Sequence, residues 1–357
     1  MTMNKVFWIQ FILITFFILP AFSQNDTLDS PLAAVDTLRH DFGLFVRDDL
    51  LHLTLRLDIK EYIRKKPKDE YMNATLTYYV NENDSISREI RIKSRGIFRN
   101  EYCQFPPLSL YFSKSDSART DLDKIAKIKV VTHCFYGNEN YLFKEYLVYK
   151  LFNILTDYSF RVRLARIDYI STTGKSKTIS TFCFLIEPLN MLAERTKTIP
   201  VDAFSITQKN IIPEIMDRVT HFNYMIGNTD WTVTYQHNIK VLINSFSDKP
   251  DLGIAVPYDF DYSGLVDAHY AIPAEALKLE SVRERRYLGL CRTEDEFLKA
   301  LKEFSDSKQE FYRIVNEFPY LNEKIKKSMI GYLDEFYNGI DKRNSIIRNF
   351  LNECDNF

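Results

Sequence analysis

The sequence predicts an α+β protein in a bilobal arrangement, the first lobe β-rich with one helix and the second mainly helical. Two observations predict it. From about residue 50 to 188, apolar and polar side chains alternate in short runs broken by polar turns, the period of half-buried strands. After Pro188 the spacing turns helical and helix-start signals appear. The 357 residues, 45% apolar and 14% aromatic, are enough to bury a large core.

Residues 1–23 read as an export signal rather than as part of the fold. "MTMNK" is a short positive region, "VFWIQFILITFFILP" an apolar core, and Ala21-Phe22-Ser23 a small-x-small cleavage site before Gln24. The apolar run is short for a membrane span, and no other segment approaches one. The expectation is a mature protein that is exported (periplasmic, cell-surface or extracellular) and free of membrane spans. Its lobes would cover residues 24–188 and 189–357.

In "LHLTLRLDIK" Leu51, Leu53, Leu55, Leu57 and Ile59 share one face, with His52, Thr54, Arg56, Asp58 and Lys60 opposite. "ATLTYYV", "EIRIKSRG", "PPLSLYF" and "KIKVVTHC" continue as strands. "LFKEYLVYKLFNILTD" interrupts them as a helix, and strands resume at "RLARIDYI" and "ISTFCFLIEP". "IPEIMDRVTHFNYMIG" is helical, and from about Ala274 the chain reads as almost wholly helical. Thr293–Glu296 ("TEDE") forms a capping box, and "LNEKIKKSMIGYLDEFYNGI" is amphipathic.

The formal charge of −1 gives no field for nucleic-acid binding, so any anionic ligand must be held by local groups. Of the five cysteines, Cys103 and Cys134 flank consecutive predicted strands and are the expected disulfide; the spacings rule out a CxxC zinc site. "NAT" at Asn73 and "NDS" at Asn83 match glycosylation acceptors.

Two polar knots follow apolar elements: "GNTDWTVTYQHN" after the helix ending near Ile226, and "PYDFDYSG" after an apolar run. Asp230, Asn238 and Asp259 occur in the order that phosphoryl transfer uses: a carboxylate to orient the attacking hydroxyl, then two hard oxygen ligands suited to Mg²⁺ or Mn²⁺. On a β-then-α chain this is the layout of a protein kinase. The literal "DFG" at Asp41–Gly43 precedes the whole β-rich lobe and is chance.

"SRGIFR", the strand into "FLIEP", "GNTDW…HN" and "PYDFDYSG" together resemble the CotH family of atypical kinases, distantly related to HipA-like and phosphoinositide kinases. The resemblance spans roughly residues 50–264. It implies a bilobal kinase-like fold, ATP with Mg²⁺ or Mn²⁺, and phosphorylation of hydroxyls on an unidentified exported protein acceptor. It makes Asp230 the catalytic aspartate, Asn238 a metal ligand, Asp259 the principal metal ligand and Asp261 an assisting carboxylate. Glu187 would lie near the adenine-holding hinge or pair with a lysine.

One departure concerns the lysine that contacts ATP, since "CQFPPLSLYF" contains none. Lys93, Lys127 or Lys129 can supply the charge from an adjacent strand, and Arg95 and Arg99, flanking Gly96, can contact phosphates. The interval from Asp230 to Asn238 is also long for a catalytic loop. Arg161, Arg163 and Arg166 read as exposed strand charges. A second reading, an inactive kinase fold serving as a binding or adhesion module, is favoured by the missing lysine.

Overall fold

A computed structural model describes residues 43–79, 84–113, 125–137, 139–174, 176–202, 205–244, 249 and 251–354. The export signal, Asn83 and most of the "DFG" tripeptide lie outside them. The architecture is mixed α+β, and its first half is a closed barrel of seven strands in the order β1-β2-β3-β4-β5-β7-β6.

The strands are β1 (Leu51–Leu57), β2 (Met72–Tyr79), β3 (Ser85–Ser94), β4 (Leu108–Phe112), β5 (Lys127–Thr132), β6 (Val162–Ser171) and β7 (Ile179–Ile186). Neighbours are antiparallel except β1 and β6, whose parallel pairing closes the ring. Alternation places Leu51, Leu53, Leu55 and Leu57 inside the barrel with Leu76, Ile92, Leu110 and Val130. Strands β5, β6 and β7 are buried on both faces: their outward Val131, Leu164, Phe184 and Ile186 join a second core that contains the helices. That is why "TFCFLI" reads as a nearly continuous apolar run.

The single helix expected among these strands is α3 (Asn140–Leu155), which packs on the barrel's outer face, but shorter ones accompany it. The first strand ends at Leu57 because the Asp58 side chain accepts from Glu61 N and caps α1 (Ile59–Lys65). The Arg-Gly turn leads into α2 (Phe98–Tyr102), and α4 (Leu189–Thr196) follows β7. Cys103 and Cys134 form a disulfide, as do Cys291 and Cys354, while Cys183 is a free thiol inside the barrel.

The second half carries α5 (Pro213–Ile226), α6 (Glu294–Glu317), α7 (Glu323–Asp341) and α8 (Arg343–Glu353). It also carries a three-stranded antiparallel sheet of β8 (Ile199–Val201), β9 (Ile239–Ile243) and β10 (Gly253–Pro257). Thr293 and Glu296 form the expected capping box of α6. The expectation of helix from Ala274 onward is corrected: one 3₁₀ turn (Glu275–Leu277) precedes α6. The charged run "VRERR" is held instead by its arginines. Arg285 donates to the Tyr332 carbonyl and Glu335, and both Arg283 and Arg285 lie over the Tyr332 ring. Among the described residues no helix is long and apolar enough to cross a membrane.

Candidate active site

The two polar knots sit at the same end of the small sheet, on neighbouring strands. β9 starts one residue after Asn238 and β10 ends two before Asp259. Their pairing brings Tyr258 N to the Asn238 carbonyl at 2.9 Å.

Helix α5 stops at Gly227, whose φ of +66° lets the chain turn away. Buried Asn228 braces the turn, donating to the Asn223 side chain and accepting from Asp230 N. Trp231 and Val233 anchor the next residues in the core. The long interval before Asn238 is then taken up locally: Thr232 and His237 exchange both backbone hydrogen bonds, so the chain doubles back. Asn238, at φ +51°, therefore returns to Asp230. Its Nδ2 donates to the Asp230 carboxylate at 2.9 Å and to the Asp230 carbonyl at 2.8 Å. His237 Nε2 lies 2.8 Å from the other carboxylate oxygen.

Asp259 also has a left-handed backbone, φ +63°, fixed by its N–H donating to the buried Tyr149 hydroxyl and by Phe260 packing on Tyr149 and Phe222. Asp261 is buried, accepts from the Tyr270 hydroxyl at 3.0 Å and lies 3.9 Å from Arg99. Burial and the Asp259 charge push its carboxyl up to about 6, with Asp230 adding and Arg99 and Tyr270 opposing. Asp230, Asp259 and Asp261 thus share one electrostatic neighbourhood.

Cations face this acidic group from the barrel. Lys129 lies over the Tyr258 ring at 4.9 Å; burial and then Arg95 pull its ammonium down to about 8, against the attraction of Asp259. Neither Lys129 nor Arg95 forms an ion pair among the described residues, and Arg95 Nε is buried without a partner. Gly96 supplies the φ of +84° that turns the chain beyond Arg95. Lys127, Lys129 and Glu187 line one cavity of about 360 Å³ with Phe160, Ile186, Lys240 and Tyr258. Lys93 is spent elsewhere, donating to the Asp69 carbonyl over the Tyr71 ring.

Other candidates take different partners from those anticipated. Glu187 pairs with an arginine: Arg195 grips both carboxylate oxygens at 2.8 and 3.0 Å, and Arg161 N adds a third bond. Arg163 is buried rather than exposed, bonded to the Arg47 carbonyl and Asp49, because the start of β6 is covered by the entering chain. Arg99 points away from solvent, toward Glu145 and the Thr132 carbonyl. Glu145 was missed altogether. Its signal is a lone carboxylate at helical spacing from Leu142, Val148 and Tyr149 in an apolar helix, a group that must find a partner inside.

The donor set fits a hard divalent cation. Asn238 commits its amide nitrogen to Asp230, which leaves the side-chain oxygen as its acceptor, and the Asp259 carboxylate makes no ion pair among the described residues. Among the described residues no cluster of three His, Cys, Asp or Glu could by itself hold a metal. A larger cavity, about 640 Å³, lies elsewhere, between α3, the 48–50 segment and the end of α6, with the Asp48–Lys150 ion pair at its rim.

No protein-family model matches the chain, and no curated protein matches it. A crystal structure of a Helicobacter pylori proinflammatory kinase, CtkA, is similar at 12% identity over 71% of this chain and 94% of that one, with a TM-score of 0.38. A similarity of that size carries no argument about this chain's chemistry.

Proposed function

We propose that this chain is an exported CotH-like kinase with a bilobal kinase-type division of labour, moving the γ-phosphate of ATP to hydroxyls of extracytoplasmic proteins. One observation carries the reading. The Asp230–Asn238 clasp and the Asp259 carboxylate stand near Lys129, which lines the cleft, and near Arg95, whose charge acts on Lys129; among the described residues neither cation has an ion-pair partner. A phosphate chain with its metal supplies what both sides lack.

In this reading the cavity along β5, β7 and β9 takes the base, with the chain at Ile186–Asn190 as its edge, and Lys129 and Arg95 bind phosphate oxygens. Asn238, Asp259 and Asp261 hold Mg²⁺ or Mn²⁺, which when bound supplies positive charge against the triphosphate. Asp230, fixed by Asn238 and His237, orients the acceptor hydroxyl and takes its proton. The place of Lys129 supports this reading over the inactive binding module, whose main support was the missing lysine.

Radiolabel transfer from ATP to the mature protein itself or to a generic acceptor, with Mg²⁺ or Mn²⁺, tests it. The expected result is transfer that falls at least about a hundredfold in Asp230→Asn. Equal transfer by Asp230→Asn, or none by the wild type with either metal, overturns the reading.

A further inference from the structure

We infer that Arg99 is a positioning residue of this site, locking helix α3 to the acidic loop, and that the Cys103–Cys134 disulfide keeps it seated. The kinetic part of this inference rests on the proposed function; the structural part does not.

Helix α2 is five residues long and has no side-chain cap at its start, too little to hold itself. Yet Arg99 in its first turn reaches inward between three other segments. Its Nη2 donates to the Thr132 carbonyl at 3.0 Å at the end of β5, and its Nη1 to Glu145 Oε2 on α3 at 3.3 Å. The same Nη1 lies 3.9 Å from Asp261 Oδ2. The Glu145 side chain is 2% exposed and that of Asp261 8%, and Glu145 Oε1 has no hydrogen-bond partner among the described residues. Without the guanidinium, two buried carboxylates would confront each other uncompensated. In protein kinases a strand lysine makes the ion pair with the helix glutamate. Here an arginine from the β3–β4 connection makes it, and Lys129 is left to face the cleft.

The disulfide fastens this arrangement at two points. Cys103 is the C-cap of α2, with its N–H on the Arg99 carbonyl, and Cys134 lies two residues past Arg99's acceptor Thr132. Lys66 adds a third hold, donating to the carbonyls of Glu101 and Cys103. On the outer side, Phe98 and Tyr102 each lie 5.6 Å from the Tyr270 ring, whose hydroxyl bonds Asp261.

Hydrogen exchange of the mature chain, read by mass spectrometry over residues 95–103 and the first half of α3, tests the clamp. The variants are Arg99→Met, the milder Arg99→Lys, and Cys103→Ser/Cys134→Ser. Exchange in both segments should rise about a hundredfold in Arg99→Met and about tenfold in the others, while the barrel strands stay protected. Exchange within about threefold of wild type in Arg99→Met overturns the clamp. The second readout is kinetic: Arg99→Lys should lower kcat about tenfold and leave KM for ATP within about twofold. A raised KM with kcat unchanged would make Arg99 a phosphate contact and overturn the positioning role. If the wild type transfers no phosphate, the proposed function fails and the exchange experiment alone decides the clamp.

Discussion

Asn238 donates to the carboxylate of Asp230 at 2.9 Å across a separation of eight residues, so the polar loop is a closed clasp rather than an open excursion. Replacing the donor by an acceptor should open it. Asn238→Asp puts two carboxylates in contact, and we expect a loss of about 2 kcal/mol in urea unfolding at pH 7. Asn238→Gly, which accepts the φ of +51° freely, should cost less than Asn238→Asp. Equal losses in the two variants would show that the clasp carries no charge-assisted bond.

Gly227 should be irreplaceable for a different reason. A Cβ there would meet the Tyr332 hydroxyl at 2.0 Å and Gly264 N at 3.3 Å, on a backbone at φ +66°. Gly227→Ala is expected to cost about 3 kcal/mol. Adding Tyr332→Phe should recover part of that, since the nearest atom is removed. No recovery in thermal melts would mean that the backbone conformation, not the contact, sets the cost.

The alternating strands, the helix behind them and the order of the acidic residues were legible because each is a local pattern. The barrel's closure was not: the parallel pairing of β1 with β6 joins segments more than a hundred residues apart, and alternation says nothing about which edge meets which. The clasp was half legible. Asp230 and Asn238 stood out by type, but the Thr232–His237 backbone pair that closes their interval is a turn without glycine or proline. Glu145 was hidden by its helix, and Arg99, expected as a phosphate contact, turns inward to it. Both are buried charges whose partners lie far away in sequence.

His221 gives a pH prediction. It is fully buried among Tyr287, Phe297, Phe304 and Phe350, with Nδ1 donating to the Asp217 carbonyl. Burial pulls its imidazole from the usual 6.5 to about 4. Between those values the unfolded chain takes up a proton that the folded chain refuses, so stability falls as pH drops from 6.5 to 4. The loss from this group is at most about 3 kcal/mol. Chemical denaturation across that range should be shallower for His221→Phe than for wild type; identical slopes would contradict the assignment.

The Glu187–Arg195 pair should be costly to break from one side. Arg195→Met leaves a buried carboxylate without its partner, and a loss of about 3 kcal/mol is expected. A urea midpoint unchanged from wild type would refute this.

Thiol counting checks the covalent frame. Alkylation of the unreduced, denatured protein should label Cys183 alone, and all five cysteines after reduction. Label on Cys103 or Cys134 before reduction would remove the fastening of α2.

Under the proposed function Asp259 serves a metal-bound triphosphate opposite Lys129. Calorimetric titration of the mature protein with a non-hydrolysable ATP analogue and Mn²⁺ tests it most directly. We predict metal-dependent binding by wild type and by Asp230→Ala, and its loss in Asp259→Ala. At a hundred times the dissociation constant, the ligand should stabilise the wild type by about 2.7 kcal/mol. Binding by Asp259→Ala as tight as wild type, or no binding by wild type with any divalent metal, would contradict the account.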